Sequence, residues 1–118
     1  MPESNVTITD VVFSDDIVIE SSHNPYENSL NNVVYYENTF AGATSITVEL
    51  TYQTESTNYD WVYLYQDAST IYQNKKYGGT TQKTETITIP SNYLKIVFRT
   101  DSSENQYYGF KAVITPNY

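Results

Sequence analysis

Residues 45–52 run Ser-Ile-Thr-Val-Glu-Leu-Thr-Tyr, and this strict alternation constrains the chain more than any other feature. Successive side chains of an extended strand point to opposite faces. Ile46, Val48, Leu50 and Tyr52 therefore line one side, and Thr47, Glu49 and Thr51 the other. The same period recurs in "NYLKIVFRT", with Leu94, Ile96 and Phe98 inward and Lys95 and Arg99 outward, in "TETITIP" through Ile87 and Ile89, and in "GFKAVI" through Phe110, Ala112 and Ile114. With "NVTITDVVF", "DIVIE" and "NNVVYYE" the chain holds roughly eight short strands, the density of an all-β sandwich. Gly-, Pro-, Asn- and Ser-rich segments punctuate them: "SSHNPYENS", "FAGATS", "QTESTN", "KKYGGTTQ" and "IPSN". No stretch sustains a helical period. The expected fold is a two-sheet antiparallel sandwich that buries Ile46, Val48, Leu50, Val62, Leu64, Leu94, Ile96, Phe98, Phe110 and Ala112.

A length of 118 residues suits one domain, residues 1–118, with a two-layer core. Charge is lopsided: 14 acidic residues against 6 basic, formally −8. Such a surface repels nucleic acid and anionic membranes, which removes both from the expected partners, and it suits divalent cations. The chain has no cysteine, so disulfides, thiolate chemistry and Cys-type zinc sites are excluded. No apolar run is long enough to span a membrane. The opening "MPES" has the look of a domain edge, and one module of a larger multidomain protein is expected.

One strand breaks the alternation. In "YDWVYLY", Val62 and Leu64 share a face with Asp60, while Tyr59, Trp61, Tyr63 and Tyr65 share the other. A strand apolar on both faces is usually central, covered by core on one side and loops on the other. The alternative is an aromatic platform on which a sugar or peptide stacks. Candidate ligand contacts are Trp61, Tyr63, Tyr107, Tyr108, His23 and Tyr26.

Little in the sequence points to catalysis. His23 is the only histidine, and "SSHNPY" around it is turn chemistry with no nucleophile-elbow pattern, so a hydrogen-bonded loop histidine is expected rather than a triad base. Paired carboxylates of the glycosidase kind could be drawn from 14 acids, but the clefts that use them rarely fit on a bare domain of this size. No phosphate-binding loop is present. The expected protein is not an enzyme.

Three carboxylates stand out. Glu55 follows the strand "SITVELTY", Asp60 opens the next strand, and Asp101 closes "NYLKIVFRT" just before Ser102 and Ser103. "TDSS" admits three readings: a polar turn, a catalytic acid, or one piece of a metal site. If strands 46–52 and 93–99 end at the same pole, all three acids converge, and hard oxygen donors in an adaptable loop cage are what calcium takes. Without a cation the same cluster is self-repelling.

The stretches "SSHNPYENS", "FAGATSITVELTYQTESTNYDWVYLY", "KYGGT", "TITIPSNYLKIVFRTDSS" and "YYGFKAVITP" resemble, in that order, a CUB domain, and more closely the cysteine-free CUB-like modules of bacterial secreted proteins. The resemblance covers roughly residues 17–116. It implies a jelly-roll sandwich, an extracellular (secreted or cell-surface) location, and a non-catalytic module that binds a protein or glycan ligand. It also implies one Ca2+, with Glu55, Asp60 and Asp101 as carboxylate ligands and oxygen from Ser102 and Ser103 completing the cage. The loop from Glu55 to Asp60 is shorter than in animal CUB domains, and both of their disulfides are missing. Two alternatives stand beside this reading: a carbohydrate-binding module using the aromatic platform, and a structural spacer in which calcium only locks loops.

Overall fold

A computed structural model describes residues 16–118. Seven strands run along them: β1 Ile17–Glu20, β2 Val33–Thr39, β3 Ser45–Gln53, β4 Trp61–Tyr65, β5 Lys83–Ile89, β6 Tyr93–Arg99 and β7 Gly109–Asn117. The expected strand "NVTITDVVF" lies outside the described residues. All pairing is antiparallel, in a four-stranded sheet of order β1-β7-β3-β5 and a three-stranded sheet of order β2-β6-β4. The protein is all-β.

The two sheets meet across one apolar core. Val48, Leu50 and Ile114 come from the larger sheet and Val62, Leu64, Ile96 and Phe98 from the smaller, all with no exposed surface. Each of the ten residues expected inside is fully buried. Period-2 patterning succeeds because each sheet keeps only one face on the core, so a slip of one residue would expel a whole apolar row. A register shift in β2 between Val34 and Tyr36 lets Tyr35 reach inward, where its ring stands edge-on to Phe110 at 5.2 Å and Phe98 at 6.1 Å.

The "YDWVYLY" segment departs from expectation. β4 is the outer strand of the smaller sheet, not a central one. On its free side it meets only isolated bridges, Val62 to Tyr77 and Tyr65 to Ile71. Its second apolar face is covered by cationic side chains, one of them from the loop that follows β4: Lys76 Nζ lies 3.9 Å and Arg99 Cζ 4.9 Å from the Trp61 ring centroid, and Lys95 Nζ 4.2 Å from that of Tyr65. Long cationic side chains spread their methylene stems over the rings, which lets aromatic residues occupy an outward sheet face.

Candidate metal centre

β3 and β6 end at the same pole, and the loops that follow them bring Glu55, Asp60 and Asp101 together. One carboxylate oxygen from each lies within 4.8 Å of the others. Local chemistry fixes each arm. Asp60 continues the inward face of Val62 and Leu64 and is completely buried. Its Oδ1 accepts the Asp101 amide at 2.7 Å, and its Oδ2 accepts the Tyr26 hydroxyl. The Tyr26 hydroxyl in turn accepts the Glu55 amide at 3.1 Å, so one phenol orients two members of the cluster. Burial, then the hydrogen bond to Asp60, holds that phenol far above the ordinary tyrosine range, so it remains a donor.

Neighbouring threonines hold the strand ends. Thr54 Oγ1 donates to the Asp60 carbonyl at 3.0 Å and accepts the Gly79 amide at 2.9 Å. Thr100 Oγ1 donates to the Glu27 carbonyl at 2.9 Å and accepts the Leu30 amide at 2.8 Å. The Asp101 carbonyl accepts the Ser29 amide at 2.6 Å. The Thr100 and Asp101 bonds hold the 21–32 loop against the end of β6.

The electrostatics are unbalanced. Among the described residues no Lys, Arg or His pairs with any of the three carboxylates. Glu55 Oε1 is buried without a hydrogen-bond partner. Burial first, and then the neighbouring Asp101 and Asp60 carboxylates, push the Glu55 carboxyl up from 4.5 to about 7. A buried acceptor with no donor and three converging carboxylates is a costly arrangement for a protein on its own. A divalent cation would satisfy all of it. Glu55, Asp60 and Asp101 would be the protein ligands, and every donor atom is oxygen. His23, the sole imidazole, is engaged elsewhere: Nδ1 lies 2.6 Å from the Tyr108 carbonyl and Nε2 2.7 Å from Glu20 Oε1.

The remaining expected residues divide. Ser102 and Ser103 are exposed, and the Ser103 amide donates to Asp101 Oδ1 at 3.0 Å, which closes the turn after the acid. Tyr26 is not a surface ligand contact. It is 2% exposed and packs on Phe98, because its hydroxyl is needed between Asp60 and Glu55. His23 and Tyr108 stack on each other, ring centroids 4.0 Å apart, so each covers a face of the other. Tyr107 packs partly against the core and, with Glu55, Glu104, Asn105 and Gln106, lines an open hollow of about 420 Å³ beside the carboxylates. Trp61 and Tyr63 lie on β4 in edge contact, 5.9 Å between centroids. Sequence reasoning did not foresee the Tyr26 bridge, although Tyr26 closes "SSHNPY", a turn already marked by its Asn-Pro pair. In comparisons with protein-family models, curated proteins and solved structures, the chain matches none of them.

Proposed function

We propose that this chain is a non-catalytic, calcium-binding module of the CUB-like kind, working outside the cell as part of a larger protein and engaging a protein or glycan. The observation that carries the reading is the cluster itself: three carboxylates within 4.8 Å, among the described residues unpaired with any cation, with one buried oxygen lacking a donor. They are the three residues onto which the CUB resemblance maps its ligands, and the jelly-roll assignment belongs to the same reading. Calcium is favoured over zinc because the donors are all hard oxygens, and over magnesium because adaptable loops suit an irregular shell of six to eight oxygens better than a tight octahedron. Backbone oxygen and water would fill the positions that three carboxylates leave. The absence of a catalytic role is inferred from His23, both of whose ring nitrogens face Glu20 and Tyr108 and not a nucleophile.

The test is calorimetry and melting of the wild type and Asp101→Ala in calcium and in EDTA. Uptake is expected with a dissociation constant on the order of 10⁻⁴–10⁻³ M, the range of extracellular modules. Asp101→Ala should lose both the heat of binding and the calcium-dependent rise in melting temperature. A wild type that takes up no calcium at millimolar concentration and melts identically in both buffers would refute the reading, and "TDSS" would then be a polar turn.

A further inference from the structure

The outward side chains of β4 form one row, Trp61, Tyr63 and Tyr65, with neighbouring ring centroids 5.9 and 6.2 Å apart. Cations lie over two of the three rings: Lys76 and Arg99 over Trp61, and Lys95 over Tyr65. Among the described residues no cation covers Tyr63. That ring instead lines an open hollow of about 530 Å³, with Thr57 and Asn58 from the 54–60 loop and residues 73–76 from the segment after β4. The size falls within the range of small-ligand sites. Backbone bonds fix both walls: the Thr54 amide donates to the Gly79 carbonyl at 2.8 Å, and Tyr77 exchanges a pair of 3.0 Å bonds with Val62.

The free polar groups of the hollow are uncharged. Among the described residues the side chains of Thr57, Asn58 and Asn74 and the Tyr63 hydroxyl have no hydrogen-bond partner, and Gln73 spends only one donor, on the Tyr72 hydroxyl at 3.3 Å. Both lysine heads are engaged: Lys75 Nζ lies 3.6 Å from Glu85 Oε1 and 4.9 Å from the Tyr77 ring centroid, and Lys76 Nζ 3.9 Å from that of Trp61. Gln73 (φ 57°) and Asn74 (φ 51°) occupy the left-handed region in succession, a conformation that non-glycine residues seldom adopt and that concentrates at binding sites. Side-chain amides both donate and accept, which matches sugar hydroxyls, and a tyrosine ring matches the apolar face of a pyranose.

We infer that this hollow binds an uncharged β-linked oligosaccharide: a pyranose ring lies against Tyr63, while Asn58, Gln73 and Asn74 meet its hydroxyls. In β-linked glucose and xylose the hydroxyls are equatorial, so the ring faces present only C–H to an aromatic side chain. An extended peptide has no open edge to join here, because Tyr77 and Ile71 already bridge the free side of β4. An anionic ligand meets a net charge of −8 and lysines whose heads are already engaged. The inference rests on the proposed function and narrows it, choosing glycan over protein. The hollow is lined by none of the three clustered carboxylates, so calcium uptake without sugar and sugar uptake in EDTA can fail separately.

The test is calorimetry with cellohexaose, xylohexaose and hexagalacturonate, in EDTA and again in calcium, with the folded state checked by melting. Saturable heat is expected with at least one of the two neutral sugars in at least one buffer, and weaker binding of hexagalacturonate. Tyr63→Ala should weaken binding by about tenfold or more. Asn74→Gly removes the amide but suits φ 51°, and should weaken binding severalfold without strain. Tyr65→Ala makes the same truncation at the next ring, outside the hollow, and should leave binding intact. No heat with either neutral sugar in either buffer overturns the inference. So does hexagalacturonate binding as tightly, an equal loss in Tyr65→Ala, or full binding by both Tyr63→Ala and Asn74→Gly.

Discussion

Protonation of Glu55 gives the sharpest test of the cation site. Its carboxyl is raised to about 7 in the metal-free cluster, so below that pH a cation must displace a proton to bind. Apparent affinity then falls by a factor of 1 + 10^(7 − pH): about 1.1 at pH 8, about 11 at pH 6 and about 100 at pH 5. With a dissociation constant on the order of 10⁻⁴ M at pH 8, 10 mM calcium stabilises the fold by about 2.7 kcal/mol. At pH 5 the constant becomes on the order of 10⁻² M and the stabilisation drops to about 0.4 kcal/mol. For a chain of this length the calcium-induced rise in melting temperature should shrink from roughly 10 °C to one or two degrees. In EDTA the sign reverses. The folded pKa lies above the unfolded value of 4.5, so the metal-free fold is favoured by a bound proton, and its Glu55 contribution is lost as pH rises through about 7. Glu55→Gln should mimic the protonated state: a higher melting temperature than wild type in EDTA at pH 8, and no response to calcium. A calcium response that is flat between pH 5 and 8, or a Glu55→Gln variant that still responds, would show that Glu55 is not a ligand.

Two further outcomes follow from single contacts. Tyr26→Phe keeps the ring on Phe98 but removes the hydroxyl that joins Asp60 to the Glu55 amide; it should cost about 1–3 kcal/mol in urea unfolding and weaken calcium uptake, because two ligands lose their common anchor. Gly109→Ala should destabilise by at least about 2 kcal/mol in the same assay, since Gly109 has φ +88° and an added Cβ would stand 2.2 Å from Ser21 Oγ and 3.0 Å from the Ser22 carbonyl.

Much of this architecture was legible in the sequence because a half-buried sheet writes its period into the chain. Ile46, Val48 and Leu50 could be placed inside from spacing alone, and the structure buries all three completely. The convergence of Glu55, Asp60 and Asp101 was legible only conditionally: spacing puts each acid at a strand end, but whether two strand ends share a pole depends on topology. Period-2 patterning could not decide the position of β4, since a strand apolar on both faces is compatible with a central place or with an edge whose rings are covered by Lys76 and Arg99. Those two cations are 15 and 38 residues from Trp61 in sequence (76 − 61 and 99 − 61), and nothing local links them to it. Tyr26 was misplaced for a related reason. A tyrosine in a turn is normally read as surface, and only the buried Asp60 carboxylate 34 positions away explains why its hydroxyl points inward.

A cation at this pole would also do the work that a disulfide does in other small folds. The 21–32 loop is held to the end of β6 and the following loop by uncharged contacts: the Thr100 amide to the Leu30 carbonyl at 2.9 Å, the Asn24 amide to the Tyr107 carbonyl at 3.0 Å, and Asn105 Nδ2 to the Tyr26 carbonyl at 3.1 Å. The 54–60 loop is packed as tightly on its other side, where a Cβ at Gly78 would stand 2.7 Å from Thr54 Oγ1 and 2.8 Å from the Asp60 carbonyl. Hydrogen bonds of this kind contribute only about 0.5–1.5 kcal/mol each, net of the water they replace. At their meeting point the protein places three carboxylates, which disfavour one another's charged forms when no cation is bound. A bound divalent cation would reverse the sign of that contact, turning the least favourable element of the pole into a tie between the 54–60 loop and the end of β6. That tie closes a chain segment of 47 residues (101 − 55 + 1), a span over which a covalent cross-link would be worth about 4 kcal/mol in loop entropy. An ion of modest affinity would supply a comparable fraction of it only where its concentration is held well above its dissociation constant.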